Sequence, residues 1–145
     1  MCIRDRSYTW TTGSKSVSAT SANNGWWYFY GSDTYQSTST YKVYLDTVAP
    51  VGTITTSGGT TLSSGSYTNQ PFKYTATDTG GINYLQVKYP GSSSWSTYSS
   101  GTVLSTYTGW TYFRAVDKAG NISSESSVFY DATKPTGTLL SLIHI

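Results

Sequence analysis

The chain has 145 residues, of which 11% are charged and 16% aromatic, and its formal net charge is +2. So small a charge provides no basic surface for phosphate groups, and we expect no nucleic-acid partner. No run reaches the roughly 18 apolar residues of a membrane-spanning helix. Tyr, Thr, Val and Trp are abundant while good helix formers are scarce, so the composition predicts an all-β protein.

The two ends of the chain are predicted to be translated adapter rather than protein. One coding string for residues 140–145 is CTGTCTCTTATACACATC. Its reverse complement, read from the second base, encodes Met-Cys-Ile-Arg-Asp, which are the first five residues. The string resembles a transposon end used in sequencing libraries. Residues 1–6 and 140–145 are therefore not expected to contribute to the fold. We expect residues 7–139 to be an internal fragment of a longer protein.

Residues 7–139 lack the side chains of the common catalytic and zinc sites. The only Cys and the only His are Cys2 and His144, which lie in the two excluded ends. A Ser–His–Asp triad or a Cys–His pair therefore cannot form, and zinc has neither of its usual ligands. We predict that the chain is not an enzyme and that it has no cofactor and no metal.

A repeat of about 85 residues organises the chain. Residues 25–29 match residues 109–113 at a spacing of 84, and residues 43–46 match residues 128–131 at a spacing of 85. The same spacing of 85 recurs in three single residues, since Pro50, Gly52 and Thr53 match Pro135, Gly137 and Thr138. Agreement over such a length predicts a tandem array.

The repeat divides the chain into three units. Residues 7–46 are the C-terminal half of the first unit, residues 47–131 are a complete second unit, and residues 132–139 begin a third. Each boundary contains a proline, which lacks an N–H group and favours an extended residue before it. We therefore expect short, semi-rigid linkers between the units.

Within residues 47–131, strand-like runs alternate with turn clusters and no helical stretch occurs. The predicted strands begin near residues 51, 72, 82, 95, 101, 110 and 126, and residues 57–59 and 64–66 are predicted breaks. Seven short strands with regularly spaced turns predict an antiparallel β-sandwich. Alternation then assigns inward-facing positions, which include Phe72, Tyr74, Ala76, Leu85, Val87 and Tyr89.

The strand around residues 110–115 ends in a corner. Asp117, Gly120 and Asn121 supply turn chemistry there, because Asp bonds the backbone two residues on and Gly and Asn tolerate positive φ. We predict that these three residues form a structural turn. Along the strand, the alternation separates Thr111, Phe113 and Ala115 from Trp110, Tyr112 and Arg114, which face the opposite way.

Three elements of the complete unit resemble bacterial immunoglobulin-like repeats. They are Tyr-Thr-Ala-Thr-Asp at 74–78 followed by Gly-Gly-Ile, Ala-Val-Asp-Lys-Ala-Gly-Asn-Ile-Ser at 115–123, and the Asp-to-Pro linker. The resemblance implies tandem immunoglobulin-like β-sandwich repeats, an extracellular or cell-wall location, and neighbouring repeats as partners. The first unit departs from this pattern, because its corner at 33–37 is Asp-Thr-Tyr-Gln-Ser.

The outer aromatic face is the main candidate for a binding site. Trp110, Tyr112 and Arg114 project together, as do the first unit's equivalents Trp26, Tyr28 and Tyr30, while Tyr84 and Lys88 are expected on the neighbouring strand. Flat aromatic rings and cations of this kind could hold a polysaccharide or a host surface protein. The alternative is that these side chains pair across the sheet or pack against a neighbouring domain.

The few carboxylates leave two further alternatives open. Asp78 and Asp117 each end a strand and could meet at one end of the sandwich, where they would cap loops or act as a carboxylate pair. Asp46 and Asp131 lie at the unit boundaries, where oxygen ligands from two domains could hold calcium. The overall expectation is a non-catalytic structural or adhesive repeat that acts as a spacer or stalk, and the alternative is a binding module that uses the aromatic face.

Overall fold

The computed structural model describes residues 2–4, 20, 24–29 and 40–137. All regular structure in these residues is β-strand, so the prediction of an all-β protein is confirmed for this part of the chain. In the same residues, no helix is long and apolar enough to cross a membrane. The strands are β1 (Cys2–Arg4), β2 (Gly25–Phe29), β3 (Tyr41–Leu45), β4 (Val51–Thr56), β5 (Thr61–Leu62), β6 (Ser66–Thr68), β7 (Phe72–Thr77), β8 (Ile82–Lys88), β9 (Ser96–Tyr98), β10 (Gly109–Asp117) and β11 (Ser126–Tyr130).

The first three strands form one antiparallel sheet in the order β1-β2-β3. We call β2 and β3 the hairpin segment, and in its register Trp26 lies opposite Tyr44. Strand β1 belongs to residues 1–6, which we predict to be adapter, and it pairs with β2. An open strand edge pairs through main-chain groups that every residue carries, so this pairing requires no particular side chains.

Strands β4 to β11 form two sheets around one core, consistent with a β-sandwich. The larger sheet has the order β6-β11-β10-β8-β9 and the smaller sheet has the order β5-β4-β7. We call these eight strands the sandwich. Its buried core draws on both sheets and consists of Ile54, Phe72, Tyr74, Leu85, Val87, Tyr98, Leu104, Phe113, Ala115, Val128 and Tyr130.

The predicted alternation along β10 is confirmed. Thr111, Phe113 and Ala115 are each at most 1% exposed. The ring of Phe113 stacks on Tyr74 at a centroid distance of 4.9 Å and an interplanar angle of 14°. A Cβ atom at Gly52 would overlap the Tyr74 ring, so the glycine leaves the space that this ring fills. Aromatic packing of this kind holds the two sheets together without a disulfide.

Three details of the sandwich differ from the predicted strands. The two-residue strand β5 (Thr61–Leu62) is not among the predicted strands. Residues 64–66 are predicted as a break, but β6 begins at Ser66 and pairs parallel to β11 rather than antiparallel. Residues 101–104 do not form a strand, since Leu104 makes only an isolated bridge to Phe72. Strand β6 has no apolar alternation, and its central Tyr67 is 73% exposed, so only its main-chain pairing defines it.

Some predicted features lie outside the described residues. They are residues 7–19, Tyr30, the corner at 33–37 and residues 138–145. The features that position the candidate site are described, namely the linker at 46–50, the loop at 78–81 between β7 and β8, and the corner at 117–121 after β10.

Candidate functional site

Asp117 forms the corner after β10. Its side chain is fully buried, and its Oδ1 accepts hydrogen bonds from the main-chain N–H groups of Ala119 and Asn121, both at 2.8 Å. Gly120 has a φ of 95°, a conformation that favours glycine. Asn121 has no positive φ, so the predicted conformational reason for an asparagine at this position is wrong.

The corner holds Asp117 in its ionised form. Burial favours the protonated form of this carboxyl group. The hydrogen bonds from the Asn121 side chain and from the main chain of Asn121, Gly120 and Ala119 outweigh burial, so the pKa of Asp117 lies below its usual value. At neutral pH the corner is therefore built around a buried negative charge whose oxygens accept several hydrogen bonds.

The side chain of Asn121 connects this corner to the linker. Its Nδ2 donates to Asp117 Oδ2 at 2.7 Å, to the main-chain oxygen of Asp46 at 3.1 Å, and to that of Val48 at 3.4 Å. An amide nitrogen carries two hydrogens, so at least one of them is shared between acceptors. Asn121 is thus a bridge between the sandwich and the chain that precedes it.

The hairpin segment holds the same linker from the other side. Asn24, directly before β2, accepts hydrogen bonds at Oδ1 from the Thr47 N–H at 3.2 Å and from the Thr47 hydroxyl at 2.9 Å. Its Nδ2 donates to Asp46 Oδ1 at 3.4 Å. Residues on both sides therefore fix Asp46 and Thr47. We call the region formed by Asn24, the linker at 46–50, the loop at 78–81 and the corner at 117–121 the junction.

Gly80 allows the hairpin segment to approach the sandwich closely. A Cβ atom at Gly80 would overlap Asp46 Oδ2 and lie 3.1 Å from Tyr44 Cε1. The loop itself is shaped by Asp78, whose Oδ2 accepts hydrogen bonds from the Gly80 and Gly81 N–H groups at 2.7 and 3.0 Å. Beside this contact lies a cleft of about 290 Å³, lined by Trp26, Tyr44, Asp46, Thr79, Gly80, Lys118 and Ala119.

Three carboxylates meet at the junction. One oxygen from each of Asp46, Asp78 and Asp117 lies within 4.8 Å of the others. Among the described residues, these three are close enough together to hold a cation. Asp78 and Asp117 accept hydrogen bonds from their own loops, whereas Asp46 Oδ2 is buried and accepts none from the described residues. Asp131, the other predicted calcium ligand, is not part of this group, and its Oδ1 accepts a hydrogen bond from the Thr133 N–H at 2.8 Å.

The outer face of the larger sheet brings most of the predicted aromatic and cationic residues together. Lys88 Nζ lies 4.5 Å from the ring centroid of Tyr112 and 4.8 Å from that of Trp95. The guanidinium of Arg114 lies 4.3 Å from the Trp95 centroid. Polar partners hold both cations in place, because Arg114 Nε donates to Gln86 Oε1 at 2.8 Å and Lys88 forms an ion pair with Glu125 at 3.5 Å.

The remaining rings of this face contact each other mainly by their edges. Trp110 meets Tyr67 and Phe129 in T-shaped contacts, both at 5.4 Å, and Tyr112 at 6.4 Å with a tilt of 32°. Tyr84 is 42% exposed and lies opposite Val116, further along β8 from Lys88. The predicted residues therefore do not form one coplanar surface.

Three aromatic members of this face were not predicted, namely Phe129, Trp95 and Tyr67. Trp95 lies directly before the short strand β9, and Tyr67 lies in β6, directly after the predicted break at 64–66. The available signal for Trp95 was its place as the first residue of a predicted strand. For Tyr67 no periodic signal exists, because β6 has only three residues.

A similar aromatic pair occurs in the hairpin segment and in the sandwich. Trp26 meets Tyr44 in a T-shaped contact with a centroid distance of 5.2 Å and an angle of 67°. Trp110 meets Phe129 in the same way, at 5.4 Å and 79°. In both cases the two residues are direct partners in an antiparallel register. The first pair lines the junction cleft, and the second lies at the end of the sandwich where β11 finishes.

Comparisons of the chain with protein families, with characterised proteins and with solved structures found no match. The function is therefore inferred from the geometry of the junction and of the outer face.

Proposed function

We propose that the chain is part of a tandem array of immunoglobulin-like repeats that serves as a non-catalytic spacer or stalk in a bacterial extracellular or cell-surface protein. The observation that carries this proposal is the bridge from the Asn121 side chain to the main-chain oxygens of Asp46 and Val48. A spacer must hold its units at a fixed angle, and these bonds tie the linker to the unit that follows it.

The linker itself supports the same function. It is only a few residues long and contains Pro50, so few main-chain conformations are open to it. Asn24 adds hydrogen bonds to Thr47 from the side of the hairpin segment. The repeat spacing of 84 to 85 residues and the matching aromatic pairs favour an array in which such junctions recur.

Amide hydrogen exchange on the full chain tests this proposal. We expect the Thr47 and Val48 amides to exchange more slowly than those of an unstructured linker, because both are hydrogen-bonded within the junction. Asn121→Ala should speed their exchange while the core of the sandwich stays protected. Asn69→Ala is the matched control, since the Asn69 side chain accepts a hydrogen bond from neighbouring Gln70 at an exposed turn. Exchange of both amides at the unstructured rate in the unmodified chain would contradict a fixed junction.

A binding module is the second candidate function, and the outer face favours it. Trp95 lies between two cations, and the rings continue through Tyr112 and Trp110 to the exposed Tyr67. Rings and cations in one row suit the stacking of sugar rings of a polysaccharide or contact with a host protein. The face would use Trp110, Tyr112, Arg114 and Lys88, with Tyr84 at its far end.

Glycan-array binding by the full chain separates the two candidates. The binding function predicts a signal that is lost in Trp95→Ala and Tyr67→Ala, with the fold intact. Tyr41→Ala is the matched control, because Tyr41 is a similarly exposed tyrosine in the hairpin segment. If the unmodified chain binds no glycan on the array, the binding candidate loses its carbohydrate ligand and the spacer function remains.

A further inference from the structure

The end of the sandwich repeats the structure of the hairpin segment at the junction. Trp26 and Tyr44 precede Asp46, and at spacings of 84 and 85 residues Trp110 and Phe129 precede Asp131. Each aspartate then bonds the linker in the same way. Asp46 Oδ1 accepts from the Val48 N–H at 3.0 Å, and Asp131 Oδ1 accepts from the Thr133 N–H at 2.8 Å.

The linker at residues 46–50 and the equivalent residues 131–135 differ in what covers them. At the junction Asp46 and Thr47 are half-buried and Pro50 is buried, whereas the equivalent residues Asp131, Ala132 and Pro135 are all exposed. The cover at the junction comes from the sandwich, because Gly80 lies against Asp46 and Tyr44 and Asn121 bonds the linker. At residues 131–135 no loop glycine or side-chain amide among the described residues plays this part. Strand β6 reaches only the residues before this linker, where Tyr67 contacts the rings of Trp110 and Phe129 and the Asp131 N–H donates to the Thr68 main-chain oxygen.

We propose that Trp110, Phe129 and Asp131 form a docking surface for a further repeat unit, which binds through its own equivalents of the 78–81 loop and the 117–121 corner. This inference rests on the proposed spacer function and names the partner at the next boundary. The occupant must have a glycine that lies against Asp131 and Phe129, as Gly80 lies against Asp46 and Tyr44. It must also have an amide that donates to the main-chain oxygens of Asp131 and Thr133. The complete unit of this chain meets both requirements.

In this docked arrangement Trp110 would contact the next repeat unit, whereas the sequence predicts that it contacts a polysaccharide. Its equivalent Trp26 lines the junction cleft together with Lys118 and Ala119 of the sandwich. At the next boundary Trp110 would line the same cleft, and the rest of the outer face would remain open beside it.

The test extends the full chain by one unit. Residues 53–131 are fused after Gly137, which continues the repeat in register because Gly137 matches Gly52. The added copy carries Asp131→Asn, so that only the original Asp131 is counted. Carboxylates are labelled with a carbodiimide and an amine and are quantified by mass spectrometry. In the same molecule Asp46 is the protected reference and the exposed Glu125 is the reactive reference.

In the extended chain we expect labelling of Asp131 to fall to the level of Asp46, while Glu125 stays reactive. Gly80→Ala in the added copy alone should restore the labelling of Asp131, because its Cβ atom would occupy the space of the docked side chains. Gly58→Ala in the copy is the matched control, since a Cβ there meets only the Thr56 hydroxyl, at 3.8 Å. This control should leave Asp131 protected.

The outcomes separate this inference from the function on which it rests. If Asp131 stays reactive while Asp46 is protected, the docking surface is overturned and the spacer function stands. Protection of Asp131 that survives Gly80→Ala also overturns the inference. If Asp46 is as reactive as Asp131 in the original chain, the junction is not closed and the spacer function fails.

A second variant keeps the inference testable if the added copy does not fold. Tyr44→Phe in the original chain converts the Trp26–Tyr44 pair into the Trp–Phe pair found at Trp110 and Phe129. We expect Asp46 to remain protected in this variant, because the contact with Gly80 involves the Tyr44 ring carbon Cε1. Loss of that protection would show that a Trp–Phe pair does not accept the loop, and it would overturn the inference.

Discussion

The side-chain nitrogen of Asn121 lies 3.1 Å from the main-chain oxygen of Asp46, a residue 75 positions earlier in the chain. The same nitrogen lies 2.7 Å from the buried carboxylate of Asp117. One amide therefore stabilises the corner and connects it to the linker. Loss of this amide should affect both the stability of the sandwich and the order of the junction.

We expect Asn121→Ala to lower the free energy of unfolding by about 2 kcal/mol, because it removes a donor to a buried carboxylate and to two main-chain oxygens. Asn121→Asp should cost more, since it also adds a negative charge beside Asp117. Urea unfolding followed by tryptophan fluorescence measures both effects, with Asn69→Ala as a control that changes stability by less than about 0.5 kcal/mol. Equal stabilities for the Asn121 and Asn69 variants would contradict the bridging role.

The corner should also make the fold sensitive to acid. The pKa of Asp117 is lowered in the folded chain, so between the folded and unfolded values the unfolded state binds more protons. The stability from this group is complete above the ordinary aspartate pKa of about 3.9 and is lost as the pH falls through the folded value. Asp131 contributes in the same direction, because hydrogen bonds from Thr133 lower its pKa.

Asp117→Asn tests this pH dependence. We expect the variant to be less stable at pH 7 and to lose less further stability between pH 4 and pH 2 than the unmodified chain. The residual slope should come from groups such as Asp131. Urea midpoints measured across this pH range report the difference, and parallel curves for the two proteins would show that Asp117 does not titrate with a lowered pKa.

Aromatic packing across the two sheets should dominate the stability of the sandwich. Phe113 is fully buried and stacks on Tyr74, so Phe113→Ala should cost about 3–5 kcal/mol through lost burial and the cavity left behind. Ile122, which is 51% exposed, provides the comparison, and Ile122→Ala should change stability by less than about 0.5 kcal/mol. Thermal and urea unfolding of both variants measure this contrast, and similar costs would contradict the assigned core.

The cations of the outer face should differ in what they contribute. Arg114→Lys loses the planar contact with Trp95 and the hydrogen bond to Gln86, so we expect a cost of about 1 kcal/mol. Glu125→Gln removes the exposed ion pair with Lys88 and should cost less than about 0.5 kcal/mol. Urea unfolding at low and high salt compares the two, and a larger effect for Glu125→Gln would contradict this order.

The core was predictable because period-two alternation is a local property of a sequence. Phe113 and Ala115 alternate with Tyr112 and Arg114, and this pattern alone identifies the buried side of β10. Strand β6 could not be found in this way, because its three residues carry no apolar alternation. Its place beside β11 comes from main-chain pairing, which has no signature in the side chains.

The outer face and the junction were each predictable in part, since the sequence indicated that Asp78 and Asp117 could meet but not that Asn121 and Gly80 contact the linker. Alternation indicates that Tyr112 and Lys88 share a face, but only the register of β8 against β10 makes them neighbours. At the junction, the contact between Asn121 and Asp46 joins residues far apart in sequence, and the asparagine has an adequate local explanation as a turn residue. The role of Gly80 is hidden in the same way, because a glycine in a turn gives no sign that another segment approaches it.

Residual dipolar couplings on the full chain test the central claim, a fixed junction between the hairpin segment and the sandwich. The claim predicts that one alignment tensor fits the amides of β2, β3 and the sandwich together. In Gly80→Ala it predicts that two tensors are needed, while Gly58→Ala still requires one. Two independent tensors in the unmodified chain would show that the two parts move separately, and they would contradict the claim.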